Sequence, residues 1–255
     1  MMSSDHIVFI CHRGCDTKQN VASVLQGMLH SKGITCFVDY RMDEGTEVNS
    51  AIQDAIESSL VHLVILSKKF NTSTWCLKEV QQIMKIQETM STQETMTRAC
   101  KRPKVMPRKV IPVYYDVEPS MDKVKPTAET VKRSTEEERE DWVKALEGLL
   151  KIDGFRYNSE TAFAWEELQH IVSEAEDFLV SHNVVPYENH HFGRQSTWRI
   201  NMHPNYESIF ICHNKKDTQR NVVSILRGIL RSRGIKCVVE RSPRDSTSNK
   251  MKNVP

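Results

Sequence analysis

Along the first 116 residues, short apolar runs alternate with longer amphipathic stretches. Ile7 to Cys11, Ile34 to Asp39, Val61 to Leu66 and Val110 to Tyr115 are rich in Val, Ile, Phe and Tyr and read as strands. They are nearly continuous in apolarity rather than alternating, which suits a parallel sheet covered on both faces by helices. Between the first two runs, Val21, Val24, Leu25, Met28 and Leu29 recur at helical spacing, and Gly33 stands where that helix should end. Val48, Ile52, Ala55 and Ile56 predict a second helix; Leu77, Val80, Ile83 and Met84 predict a third, after the polar stretch Asn71 to Thr74. The order βαβαβα predicts an α/β domain with a doubly wound, flavodoxin-like sheet. Trp142, Leu146 and Leu149 mark one further helix, and Trp165, Leu168, Ile171 and Val172 another.

Residues 87–97 read QETMSTQETMT and lead into KRPKVMPRK at 101–109, a polar, proline-bearing stretch expected to be an exposed insertion. KRPK has the composition of a nuclear address, and equally that of a solvated basic run. Residues 181–205 lack apolar period and read as a linker. Beyond them the chain repeats itself: Phe9–Asp39 laid on Phe210–Glu240 gives about 17 identities in 31 positions, including FICH, DT and the Gly-Ile of the helix exit. The second copy stops after its βαβ equivalent. A fragment of roughly 45 residues does not close a core alone, so residues 206–241 are expected to dock elsewhere or stay partly disordered, with 242–255 as a disordered tail.

Composition is that of an ordinary globular protein, with 39% hydrophobic and 27% charged residues and a formal charge of +2. The basic excess is local, since residues 199–255 hold about 12 Lys and Arg against about 4 Asp and Glu. The apolar run near the start is too short for a signal peptide or a membrane span, which leads to the expectation of a cytoplasmic protein without membrane contact. Seven cysteines form no CxxC pair, and most lie inside apolar runs, as expected for reduced thiols serving as small core side chains, so no disulfide framework is expected. Cys11, His12 and Cys15 fit no common zinc spacing, so no metal is expected.

Three stretches carry a family resemblance: FICHRGCDTK at 9–18, STWCLKEV at 73–80 and VIPVYYDVEPS at 110–120. With Phe37-Val-Asp39, the loop at Gly45 and a Trp142 to Phe155 stretch similar to the family's last helix, residues 5–180 resemble the plant Toll/interleukin receptor (TIR) domain. The resemblance implies a five-stranded parallel sheet, self-association or association with other TIR-domain proteins, and cleavage of NAD or NADP, which enters as substrate, so no cofactor is implied. It implies that Glu79 is the catalytic glutamate of an NAD glycohydrolase or ADP-ribosyl cyclase, while Arg13, Lys18 and Trp75 handle the phosphates and base. Gly14, beside Arg13 at the substrate, reads as supplying backbone freedom to a tight turn.

The fold class points to the same place without the family. In a flavodoxin-like sheet the crevice lies outside the carboxyl ends of the first and third strands. The loop from His12 to Thr17 follows one, and the segment leading to Trp75 and Glu79 follows the other. Four apart on a helix, Trp75 and Glu79 share a side. Breaking the bond from ribose to nicotinamide develops positive charge on the sugar and releases a neutral group, so one carboxylate suffices to stabilise the transition state while Arg13 and Lys18 offset phosphate charge. Plainer readings stand beside these: Glu79 as a surface charge, Trp75 as a core or rim residue, Cys76 as packing, Arg13 as a partner of Asp16.

The chain departs from the family pattern twice. Cys15 stands where members usually have Glu in Arg-Gly-Glu-Asp, and Ser23-Val24 where they usually have Ser-His on the first helix. The latter bears on assembly, because the resemblance implies that this helix packs on its neighbour's and that the loop at 43–47 completes the adjoining subunit's site. The functions to weigh are an NAD-cleaving enzyme of plant innate immune signalling, a non-catalytic TIR adaptor or scaffold, and nucleic-acid binding through the basic tail, where Arg220, Arg227 and Arg231 line one helical face. In the second copy Asn214 and Lys215 replace Arg13 and Gly14, which rules out a second active centre. Response-regulator phosphotransfer is disfavoured because the third strand ends in Leu66-Ser67 without an acceptor Asp. With no P-loop motif and no leucine-rich repeat, a TIR-only protein is expected.

Overall fold

Five parallel strands make one sheet in the order β2-β1-β3-β4-β5: β1 (Val8–His12), β2 (Cys36–Val38), β3 (Val61–Leu66), β4 (Lys109–Tyr115) and β5 (Phe155–Tyr157). The computed structural model describes residues 7–38, 48–99, 106–185, 209–213 and 218–239, with only the backbone of 48, 49 and 91–99. The winding reverses between β1 and β3, as the predicted topology requires. Four strands coincide with the apolar runs; β5 has only three residues at the sheet edge, too few to stand out as a run.

Both faces of the sheet are buried. Phe9, Cys11, Val64, Leu66, Val110 and Tyr114 join a core with residues of α3 (Val48–Ser58), α4 (Thr74–Ala99) and α7 (Glu136–Leu150). Val8, Ile10, Leu63 and Ile65, which alternate with these, are equally buried. The second layer consists of α2 (Ser23–Ser31) and α8 (Ala164–Ser181), joined by the ion pair of Lys32 with Glu176 at 2.5 Å. Gly33 closes α2 with φ of 73°, a left-handed exit that other L-residues adopt at a cost. Thr135 starts α7 with a capping box: its hydroxyl accepts the Glu138 N–H, and the Glu138 carboxylate accepts the Thr135 N–H.

Two expectations need correction. Residues 87–97 continue α4 instead of forming an insertion, because Gln, Glu, Met and Thr follow one another with no Gly or Pro before Pro103 to stop the helix. The Trp142 to Phe155 stretch is not a single last helix; α7 ends at Leu150, Phe155 belongs to β5, and α8 is the domain's last helix. KRPK at 101–104, the loops at Gly45 and 43–47, linker residues 186–205 and the tail at 242–255 lie outside the described residues.

The chain divides into two compact units, one of Met1–Ser159 with Glu167–His190, the other of Glu160–Glu166 with His191–Pro255. In the second unit, β6 (Ile209–Ile211), α9 (Ser224–Ser232) and β7 (Cys237–Val239) rebuild the first βαβ. The register is preserved: Ile209, Phe210 and Ile211 pair with Cys237, Val238 and Val239 as Val8, Phe9 and Ile10 pair with Cys36, Phe37 and Val38. Each copy enters its helix through a π turn, Lys18–Ala22 in one and Gln219–Val223 in the other.

Candidate functional site

At the carboxyl end of β1, Arg13 leads into the short helix α1 (Gly14–Thr17). Asp16 holds this loop to the one after β3: it accepts from Arg13 at 2.6 Å and from the Ser67 hydroxyl at 2.5 Å. The two loops therefore share one end of the sheet, at the switch point. Thr17 Oγ1 donates to the Arg13 carbonyl and lies 2.9 Å from His12 Nδ1, so the strand end and helix start lock together. After β3, a turn of 3₁₀ helix at Phe70–Thr72 brings the chain into α4.

The first turns of α4 face the end of β1. The Cys76 thiol donates to the His12 carbonyl at 3.6 Å, fixing helix to strand. One turn on from Trp75, Glu79 is only 7% exposed, so it is not a surface charge. Its carboxylate lies against Cys11 of β1: burial pushes that thiol up, and the charge and hydrogen bonding of Glu79 push it further. Cys76 rises to about 12, through burial first and then the Glu79 charge, with Arg13 pulling the other way. A carboxylate so enclosed interacts strongly with any positive charge that forms beside it, because little water screens it.

Trp75 is half-buried against the core formed by α3, α4 and α7, and its indole Nε1 has no hydrogen-bond partner among the described residues. Lys18 is exposed in the π turn, a helical irregularity frequent at functional sites. Gly14 does not supply special backbone freedom: its φ is not positive, and a Cβ built on it meets nothing within 4 Å, so what it leaves is space above the loop. Arg13 forms the pair with Asp16 that its plainer reading anticipated. The structure thus brings Arg13, Gly14, Trp75 and Glu79 to one end of the sheet, with Lys18 on the turn that follows.

Sequence reasoning missed Asp16 and Ser67 as the clasp between the loops, and Cys11 as the neighbour of Glu79. Asp16 had a signal, its retention as Asp217 in the second copy; a serine after a strand and a cysteine inside one had none. Behind the clasp, Asn20 donates to the Tyr115 hydroxyl at 3.4 Å, and Tyr115 stacks on Tyr157 with ring centroids 5.3 Å apart. Among the described residues, no group of three or more His, Cys, Asp or Glu could hold a metal, and no helix is long and apolar enough to cross a membrane.

Residues 5–185 match the TIR domain profile. The chain is 30% identical over 187 residues to disease resistance protein RML1B of Arabidopsis thaliana, an alignment covering 70% of this chain and 16% of that protein. It is 33% identical over 145 residues to TMV resistance protein N of Nicotiana glutinosa, covering 56% and 11% respectively. The chain thus spans about a sixth or less of the length of these relatives. Among solved structures, the TIR domains of the activated Roq1 resistosome directly recognizing the pathogen effector XopQ are 25% identical, covering 66% of this chain and 97% of that one with a TM-score of 0.49.

Proposed function

The chain belongs to the TIR domain family, and we propose that its first unit cleaves NAD between ribose and nicotinamide as a step of plant innate immune signalling, with Glu79 as the catalytic carboxylate. The observation that carries this reading is the position of Glu79, buried at the switch-point end of β1 one helical turn from Trp75. In this reading Trp75 offers a partly exposed aromatic edge to a base, and the Glu79 carboxylate meets the ribose. Positive charge develops on the sugar as the bond to nicotinamide lengthens, and the carboxylate stabilises it without a strong acid, because the leaving group is neutral.

Arg13 and Lys18 take the phosphates. Arg13 begins paired to Asp16, so an incoming phosphate exchanges for a carboxylate on the same guanidinium, while Ser67 keeps hold of Asp16. Water as acceptor gives ADP-ribose; an adenine or ribose atom as acceptor gives a cyclic or ribosylated product. The activity requires self-association, in the cytoplasm, and NADP is an alternative substrate of the same chemistry.

Mass spectrometry of products from NAD incubated with the full chain tests this. Nicotinamide should appear together with one ADP-ribosyl product, and Glu79→Ala should yield neither. Equal turnover by both proteins refutes the assignment. Two observations favour a second reading, a non-catalytic TIR adaptor: Arg13 is already neutralised by Asp16, and the exposed Cys15 stands where the family usually has Glu. NAD consumption by the purified chain, absent from Glu79→Ala, would eliminate that reading.

A further inference from the structure

Two segments of unlike rigidity meet on the phosphate side of the site. The π turn Lys18–Ala22 departs from regular helical bonding, and the Asn20 side chain ties it together. Its Nδ2 donates to the Asp16 carbonyl at 3.2 Å, and its Oδ1 accepts the Val21 N–H at 2.5 Å. That side chain closes the segment 16–20, which carries Lys18. The same Nδ2 donates to the Tyr115 hydroxyl at 3.4 Å, joining the turn to the end of β4. The end of β4 is fixed several times over. Tyr115 pairs with Tyr157 in the sheet register and stacks on its ring. Asp116, next in the chain, has a left-handed φ of 53°, which a non-glycine residue holds where its surroundings constrain it. Here its N–H donates to the Tyr157 carbonyl at 2.9 Å, and its carboxylate accepts from the N–H and the hydroxyl of Ser159 at 2.7 and 2.6 Å. Burial, then the charge of Asp116, pushes the Tyr115 phenol up; Asp16 acts the same way and a hydrogen bond with Ser159 opposes them, so the group stays a neutral hydroxyl.

We propose that Tyr115, acting through Asn20, is a positioning residue for a pyrophosphate held by Arg13 and Lys18. From Asn20 the restraint passes to the Asp16 backbone, and the Asp16 carboxylate in turn holds Arg13 at 2.6 Å and Ser67 at 2.5 Å. A phosphate that takes the place of this carboxylate on Arg13 removes one tie of the loop. The bond from Asn20 to the Asp16 carbonyl is untouched by that exchange, so α1 and Lys18 keep their place against β4. Donors held in advance spare the ligand the entropy of ordering them, so the effect falls on binding. Glu79 is positioned separately, on α4, which the Cys76 thiol fixes to the His12 carbonyl, so the chemical step is left alone. The proposal rests on the NAD reading for the identity of the diphosphate and requires no role for Glu79.

Calorimetric titration of the full chain with ADP-ribose, beside nicotinamide release from NAD, tests it. Tyr115→Phe keeps the stacked ring and removes only the hydroxyl, so thermal unfolding should be unchanged. Its Kd for ADP-ribose should rise at least about fivefold, and its KM for NAD with it, while kcat stays within about twofold. Asn20→Ala should weaken binding at least as much, and the double variant no more than Asn20→Ala alone, because one contact carries both effects. Wild-type affinity in Tyr115→Phe, losses that add in the double variant, a loss confined to kcat, or a wild-type chain that does not bind ADP-ribose overturns the proposal. ADP-ribose binding that weakens in Tyr115→Phe, in a chain that releases no nicotinamide, fails the Glu79 assignment and leaves the positioning role standing.

Discussion

Phe9 and Phe210 hold the same place in two copies of one sequence, yet Phe9 is fully buried and Phe210 is 61% exposed. The same contrast separates Leu25 from Leu226, at 0% and 44%. Local structure does not explain it, for both copies form strand, π turn, helix and parallel strand in one register, and their exit glycines have φ of 73° and 72°. Phe9 lies in a core with residues of β3, α3, α4 and α7, and Phe210 is exposed among the described residues of the second unit. Short-range sequence thus dictates the supersecondary unit, and burial comes from layers supplied by distant parts of the chain.

Breaking that contrast should be easiest at its apolar centre. Phe9→Ala should cost about 3–5 kcal/mol in denaturant unfolding, whereas Phe210→Ala should change stability by less than about 0.5 kcal/mol. Similar losses from the two variants would show that the repeat has a core of its own.

Next in size is a pH effect carried by β3 of the first unit. His62 of β3 is buried, donating Nε2–H to the Ile56 carbonyl at 2.8 Å, and burial lowers its pKa to about 4, with Arg108 acting in the same direction. The folded state then binds fewer protons than the unfolded state between about pH 4 and the ordinary histidine value near 6.5. Stability should be full above that window and fall by about 3 kcal/mol as pH drops through it. His62→Gln should flatten the slope, read from urea midpoints across the range.

The two glycines facing opposite environments should respond with opposite signs. Gly27→Ala, exposed in mid-helix with open space, should stabilise by about 0.5–1 kcal/mol. A Cβ at Gly228 would fall 1.9 Å from Cδ2 of Trp165, so Gly228→Ala forces Trp165 aside and should destabilise the second unit by about 1–3 kcal/mol. Hydrogen exchange in α2 and α9 separates the two effects.

The smallest perturbation is a thiol label. Cys212 is exposed and should react with iodoacetamide in the folded protein, while its counterpart Cys11 should not, being buried with its thiol pushed up by burial and by Glu79.

Much of this fold was legible because parallel strands covered on both faces leave continuous apolar runs, as at Val61–Leu66, and because Gly33 punctuates a helix end. β5 was not, since a three-residue edge strand has no run to show, and the helical 87–97 stretch was hidden by its polarity, which suits a solvated helix as well as a loop. At the site, the switch-point rule put the loop with Arg13 and the segment with Trp75 and Glu79 at one crevice, and helical spacing put Trp75 and Glu79 on one side. Asp16 joining Arg13 to Ser67 across about fifty positions depends on tertiary approach, which no local pattern encodes. Trp165 resting on Gly228 was illegible for the same reason.

The central claim is that a carboxylate enclosed at the end of β1 stabilises charge on the ribose of NAD. Its most direct test is nicotinamide release by the full chain and by Glu79→Gln, which keeps the side chain's shape and removes its charge. The account predicts release by the wild type and a loss of at least about a hundredfold in Glu79→Gln at unchanged thermal unfolding; release at the same rate from both would contradict it.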